Sequence, residues 1–225
     1  MTAPIMPGAE PESIAGGPHG VLVLHGFTGN PQSMRGIARA LGAAGFTVEL
    51  PLLPGHGTSV DDMIPTGWEE WTAAAEAAYF DLAGVVDDVV VVGLSMGGAL
   101  ACYLAATQPD VKGLVAINAV ISEPPGIREL VEGMIEAGEE TMDGIGSDIA
   151  DPDQTEMAYD KTPLRPLLSM VQHAGELQRR LGDITCPTLI ITSRQDHVVD
   201  PTNSDLLAAA VNGPVERLWL ERSFH

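Results

Sequence analysis

A chain of 225 residues with 45% hydrophobic and 19% charged residues is long enough for one sizeable core and too apolar for compositional disorder. Lys plus Arg number 11 against 31 Asp plus Glu, a net charge of −20. Such a polyanion repels nucleic-acid phosphates and anionic lipid headgroups, which argues against nucleic-acid binding and a basic membrane anchor. The two cysteines, Cys102 and Cys186, are too few for a disulfide scaffold and read as buried thiols of a reducing compartment. Met1 to Gly20 carries neither a basic nor an apolar signal region, and no apolar run approaches the roughly 18 residues of a membrane span. The expectation is a cytoplasmic, soluble chain.

Short apolar runs alternate with helical patterns along the sequence. Val21–Leu24 reads as a buried strand, followed by the turn-like His25-Gly26-Phe27-Thr28-Gly29-Asn30. Met34, Ile37, Ala38 and Leu41 recur at helical spacing and stop at Gly42 and Gly45. Phe46–Leu50 is a second strand, broken by Pro51 and Pro54, and Trp68–Leu82 is an Ala-rich helix. Val89–Val92 is the strongest strand, since four β-branched residues in a row suit a central parallel strand covered on both faces. Met96–Thr107 reads as a helix, and Leu114–Val120, Thr188–Thr192 and Arg217–Leu220 as strands. Strands separated by helices imply an α/β architecture with a mostly parallel central sheet.

Between Val120 and Ile184 no strand is legible. Ile127, Leu130, Val131, Met134 and Ile135 form one amphipathic helix, and Leu167, Met170, Val171, Ala174 and Leu177 repeat the pattern. The polar stretch Gly138–Gln154 reads as a loop. The expectation is one domain over 1–225 with a small helical cap inserted at about 122–182. Its methionines suit an irregular ligand wall or plain packing against the sheet. Met134, Met142 and Met170 are the candidate substrate-binding residues, together with Phe27.

Gly93-Leu94-Ser95-Met96-Gly97, followed by Gly98, matches G-x-S-x-G between a strand and a helix. A nucleophile at the apex of so sharp a turn needs small residues two before and two after it, where backbone crowds. The turn would hold the Ser95 hydroxyl clear of the sheet, at a helix N-terminus that favours developing negative charge. Serine needs a base oriented by an acid, and folds built on this turn carry them in the order Ser, Asp/Glu, His. His19, His25 and His56 precede Ser95, and His173 lies in the insertion. His197 adjoins the candidate acid and cannot readily bridge it to the serine. His225, shortly after the last strand, is the expected base.

Asp200 stands before Pro201 and a helical pattern, so it reads as an N-cap. Asp196 has no such structural task and is the expected orienting carboxylate. The oxyanion donors should be the backbone N–H groups of Met96, which follows the nucleophile, and Phe27, in the loop after the first strand. His25 and His56 read as turn-stabilising residues. No His/Cys cluster suggests a metal, and no cofactor is expected.

Together, His25–Asn30, Pro54-Gly55-His56-Gly57, Gly93–Gly98, Arg194-Gln195-Asp196 and Ser223-Phe224-His225 resemble the α/β-hydrolase superfamily, more narrowly its bacterial carboxylesterase and monoacylglycerol lipase group. The resemblance covers Val21 to His225. It implies a serine esterase that hydrolyses short or medium acyl esters and monoacylglycerols through an acyl-enzyme, with a small-molecule ester as its partner. Thioesterase, lactonase or C–C hydrolase chemistry on the same triad, or a non-catalytic ligand-binding homologue, are the alternatives; a homodimer is compatible with the sequence. The group continues past the histidine into a last helix, which this chain, ending at His225, is expected to lack.

Overall fold

The computed structural model describes residues 3–225; Met1 and Thr2 of the N-terminal stretch lie outside them. In chain order the elements are β1 (Glu12–Ile14), β2 (His19–Leu24), α1 (Pro31–Ala43), β3 (Thr47–Leu50), the single turn α2 (Val60–Met63), α3 (Trp68–Ala83), β4 (Asp88–Leu94), α4 (Met96–Thr107) and β5 (Val111–Ile117). An insertion follows with α5 (Ile127–Glu136), β6 (Thr141–Asp143), β7 (Lys161–Pro163) and α6 (Leu164–Arg180). The sheet then resumes through β8 (Thr188–Ser193), α7 (Thr202–Ala210) and β9 (Val215–Leu220).

Seven strands form one sheet in the order β1-β3-β2-β4-β5-β8-β9. Its pairs are parallel except β1 with β3. The four-valine strand lies in the middle, as its composition requires. Alternation divides the core between two faces. Leu22, Leu24, Val89 and Val91 pack with α3 and α4 on one face, whereas Val21, Val23 and Val92 pack with Met34 and Ala38 of α1 on the other. Helix α4 is apolar nearly all round and is accordingly buried over most of its length, from Met96 through Ala105. Asn30 caps α1 by accepting from the Gln32 N–H at 3.0 Å, with Pro31 at the first helical position.

Four elements, β5, β1, β6 and β7, differ from expectation. The strand predicted at Leu114–Val120 runs from Val111 to Ile117, because Asn118 turns the chain with φ of 43°. Strand β1 arises within the N-terminal stretch. The insertion holds an antiparallel pair, β6 with β7, where the sequence shows no strand. Each of these unforeseen strands is three residues long, too short to display an alternation.

Candidate active site

The glycines around Ser95 are required by backbone contacts. A Cβ on Gly93 would fall on the Gly97 carbonyl, one on Gly97 would fall on the Leu24 carbonyl, and one on Gly98 would meet Ala119. Ser95 itself adopts φ 58° and ψ −118°, a conformation costly for any residue with a side chain. The surroundings hold it there: its N–H donates to the Ile117 carbonyl at 2.9 Å, and its carbonyl accepts from Ala99 and Val120. The strain is sustained by β5 on one side and α4 on the other. The Ser95 hydroxyl makes no hydrogen bond with another described residue and lines a cavity of about 730 Å³.

Asp196 and His225 meet at that same cavity. Asp196 Oδ2 lies 2.8 Å from His225 Nδ1, while its Oδ1 accepts from the Val198 and Val199 N–H groups at 2.8 Å each. The Asp196 side chain is 1% exposed and that of His225 13%, so the pair is shielded from water on the acid's side and open on the base's. This is the arrangement that fixes an imidazole with its proton on Nδ1 and leaves Nε2 to work. Asp200, by contrast, accepts from the Thr202 N–H at 2.9 Å, but it is not the N-cap expected from the sequence: α7 begins at Thr202 and Pro201 holds the N-cap position, one residue later than Pro at the first helical position would give. His197 pairs with Asp148, a residue of the insertion, at 2.8 Å.

The loop after β2 passes against Ser95: a Cβ on Gly26 would stand 3.4 Å from Ser95 Cβ. Neither the Phe27 nor the Met96 N–H donates to another described residue. Beneath this loop His25 accepts from the Leu53 N–H through Nε2 at 3.1 Å and donates from Nδ1 to the Gly26 carbonyl at 3.0 Å, tying the loop to the one after β3. His56 Nδ1 bonds the Pro54 carbonyl, and its Nε2 is buried without a partner. Burial pushes His25 down to about 4; burial and the neighbouring His25 push His56 down to about 3.

Both values lie below the ordinary 6.5, so the unfolded chain binds more protons in this window. Stability should be intact above pH 6.5 and fall as pH drops toward 4, by up to about 1.4 kcal/mol per pH unit for each histidine. Thermal melts across pH 4–7 read this directly. His56→Asn should melt with a shallower pH slope than the parent; equal slopes would remove His56 from the account.

The cavity is lined jointly by the segment between β5 and β8, the loop after β2 and residues 196–203. Met142, Met170 and Phe27 are among the residues that line it. Met134 is not. It sits seven residues beyond Ile127, the α5 residue that reaches the cavity, hence about 10 Å farther along the helix axis. Three residues that bear on the site were not foreseen. Glu156 lines the cavity as a largely buried carboxyl, its pKa raised by burial against the opposing pull of His225. Asn118 accepts from the Ser193 N–H at 2.8 Å and reaches the Phe224 carbonyl, holding the chain next to His225. Asp148 is the third. None lies in a periodic pattern or a motif, so no local signal marks them. Among the described residues no three His, Cys, Asp or Glu side chains are grouped as a metal site would need, and no helix is long and apolar enough to cross a membrane.

Comparison with known proteins agrees with this fold. The family model of the alpha/beta hydrolase fold matches residues 21–154. A thermostable monoacylglycerol lipase of Bacillus sp. (strain H-257) is 42% identical over 99% of this chain and 88% of its own. A carboxylesterase of Bacillus subtilis (strain 168) is 27% identical over 96% of this chain and 88% of its own. Among solved structures, one described with LipS and LipT, two metagenome-derived lipolytic enzymes, superposes with a TM-score of 0.94 at 40% identity, covering 99% of this chain and 91% of that one. The monoacylglycerol lipase of Paleococcus ferrophilus shares the fold at a TM-score of 0.80 and 18% identity, over 96% of this chain and 89% of that one. A serine on a glycine-flanked bend between parallel strand and helix, and a match to the family model across more than half its length, put this chain in the α/β-hydrolase family.

Proposed function

We propose that the chain is a serine ester hydrolase of the carboxylesterase and monoacylglycerol lipase type, with Ser95 as nucleophile, His225 as base and Asp196 as orienting acid. The observation that carries this reading is the convergence of these side chains on one cavity, with the imidazole held on Nδ1 by the acid. Ser95 Oγ attacks the ester carbonyl and passes its proton to His225 Nε2. The Phe27 and Met96 N–H groups receive the oxyanion, each such donor being worth about 10²–10³ in rate. The alcohol leaves with the proton from His225, and water activated by the same imidazole releases the acid. The 122–182 insertion serves as a cap over the site.

The cavity lining contains Glu123, Asp143, Asp148, Glu156, Asp196 and Asp200, and no Lys or Arg among the described residues. Arg128 and Lys161 neutralise Glu123 and Asp143; the others leave an acidic surround to a largely apolar space. Neutral esters suit such a site and anionic acyl groups, including acyl-CoA, do not. The Glu156 carboxyl, whose side chain bonds no described residue, can accept from an alcohol hydroxyl, which favours monoacylglycerols over simple alkyl esters.

A substrate panel tests this. Monobutyrin and p-nitrophenyl butyrate should turn over. The mono-p-nitrophenyl ester of adipic acid should show kcat/KM lower by about tenfold or more, the gap narrowing in salt. Equal turnover of the anionic ester would remove the charge argument, and thioester-only activity would favour the thioesterase reading.

A further inference from the structure

The segment between β6 and β7 touches both halves of the catalytic apparatus. At one end, Asp148 Oδ2 accepts from the His225 N–H at 3.1 Å and from the His197 N–H at 3.2 Å, while Oδ1 lies 2.8 Å from His197 Nδ1. At the other end, the Tyr159 N–H donates to the Thr28 carbonyl at 3.1 Å, Asn30 donates to the Met157 carbonyl, and Met157 N–H donates to Gln32 Oε1 at 3.2 Å. The Tyr159 hydroxyl also donates to the Gly55 carbonyl. Met157 and Tyr159 therefore pin the segment to the loop that carries the Phe27 donor, and Asp148 pins it to the residue that carries the base.

We infer that Asp148 is a positioning residue: from the insertion it holds the main chain of His225 in register with Ser95, so that base alignment depends on where the insertion sits. This rests on the proposed triad. His225 lies beyond β9 in irregular chain, where no strand ladder fixes its backbone. Its side chain is held by Asp196 and the preceding carbonyl by Asn118, but its own N–H is held by Asp148. Asp148 is suited to the task because its side chain is 18% exposed and accepts three bonds. Burial tends to raise its pKa; the bonds from His197 and His225 outweigh that and keep it below the usual carboxylate value. A misplacement of about 1 Å in a catalytic group costs on the order of 10²-fold in rate, so one lost tether is a measurable defect.

The test compares Asp148→Ala and Asp148→Asn in the full chain, using p-nitrophenyl butyrate, fluorophosphonate labelling rates and thermal melts. An asparagine carbonyl can still accept from both main-chain N–H groups at the Oδ2 position, whereas alanine cannot. Asp148→Ala should lose roughly 10- to 100-fold in kcat and labelling rate with KM within about twofold, and Asp148→Asn should recover at least tenfold of a hundredfold loss. Should Asp148→Ala fold poorly, Asp148→Ser carries the same expectation, its hydroxyl being too short to reach both N–H groups. Unchanged kcat, a loss confined to KM, or equal losses in alanine and asparagine variants would overturn the positioning role. If Ser95→Ala is inert while Asp148→Ala is indifferent, only this inference fails. If Ser95→Ala stays active, the triad itself fails.

Discussion

Ser95→Ala should lower kcat on p-nitrophenyl butyrate by about 10⁵–10⁶ and abolish fluorophosphonate labelling, with little change in KM. The substitution deletes one oxygen that bonds no other described residue, so the hydrogen bonds that hold the bend, all made by the main chain of residue 95, are retained. Alanine meets the same backbone strain at φ 58° as serine does, because the Cβ is common to both. Folding is therefore preserved and the loss is chemical. What remains is the oxyanion donors acting on a substrate attacked by water, worth about 10³–10⁴ over the uncatalysed reaction. A variant retaining a tenth of parental turnover would mean that the nucleophile lies elsewhere.

Asp196→Asn comes next, with an expected loss in kcat of about 10⁴. The hydrogen bonds around Asp196 dictate how the amide must sit. Two N–H groups, from Val198 and Val199, converge on Oδ1, so the asparagine carbonyl oxygen is claimed there. The amide NH₂ is then turned toward His225 Nδ1, where the carboxylate had been. A donor facing Nδ1 drives the imidazole proton onto Nε2, the atom that must accept the serine's proton. The geometry survives and the tautomer is wrong. Kinetics at neutral pH and the labelling rate should fall together, while thermal stability changes little. Retention of more than a tenth of the activity would show that Asp196 does not set the tautomer.

The parts of the molecule legible in the sequence are those specified locally. The four valines place β4 in the middle of the sheet, and the glycines at 93 and 97 announce a bend whose contacts admit no side chain. Chain order removes His19, His25 and His56, place in the insertion removes His173 and adjacency to Asp196 removes His197, which leaves His225, the histidine that the structure sets against Asp196. The parts that escaped are set by distant partners. Asp148 sits in a polar, aperiodic stretch and matters only because folding brings it 77 residues along the chain to the His225 N–H. Asn118 is a single turn residue whose partners are on β8 and beyond β9. Met134 looks equivalent to Met170 in an amphipathic pattern, yet Met170 lines the cavity and Met134, about two helical turns along α5 from Ile127, does not.

The bend at Ser95 is confined by carbonyl groups of Leu24, His25, Gly97 and Ile117, atoms that every amino acid supplies. The bend at 93–97 is therefore enforced by main chain, and substitutions of the neighbouring side chains would leave that cage in place. The side chains that line the cavity, Met142 and Met170 among them, are not part of that backbone cage and can change without disturbing it.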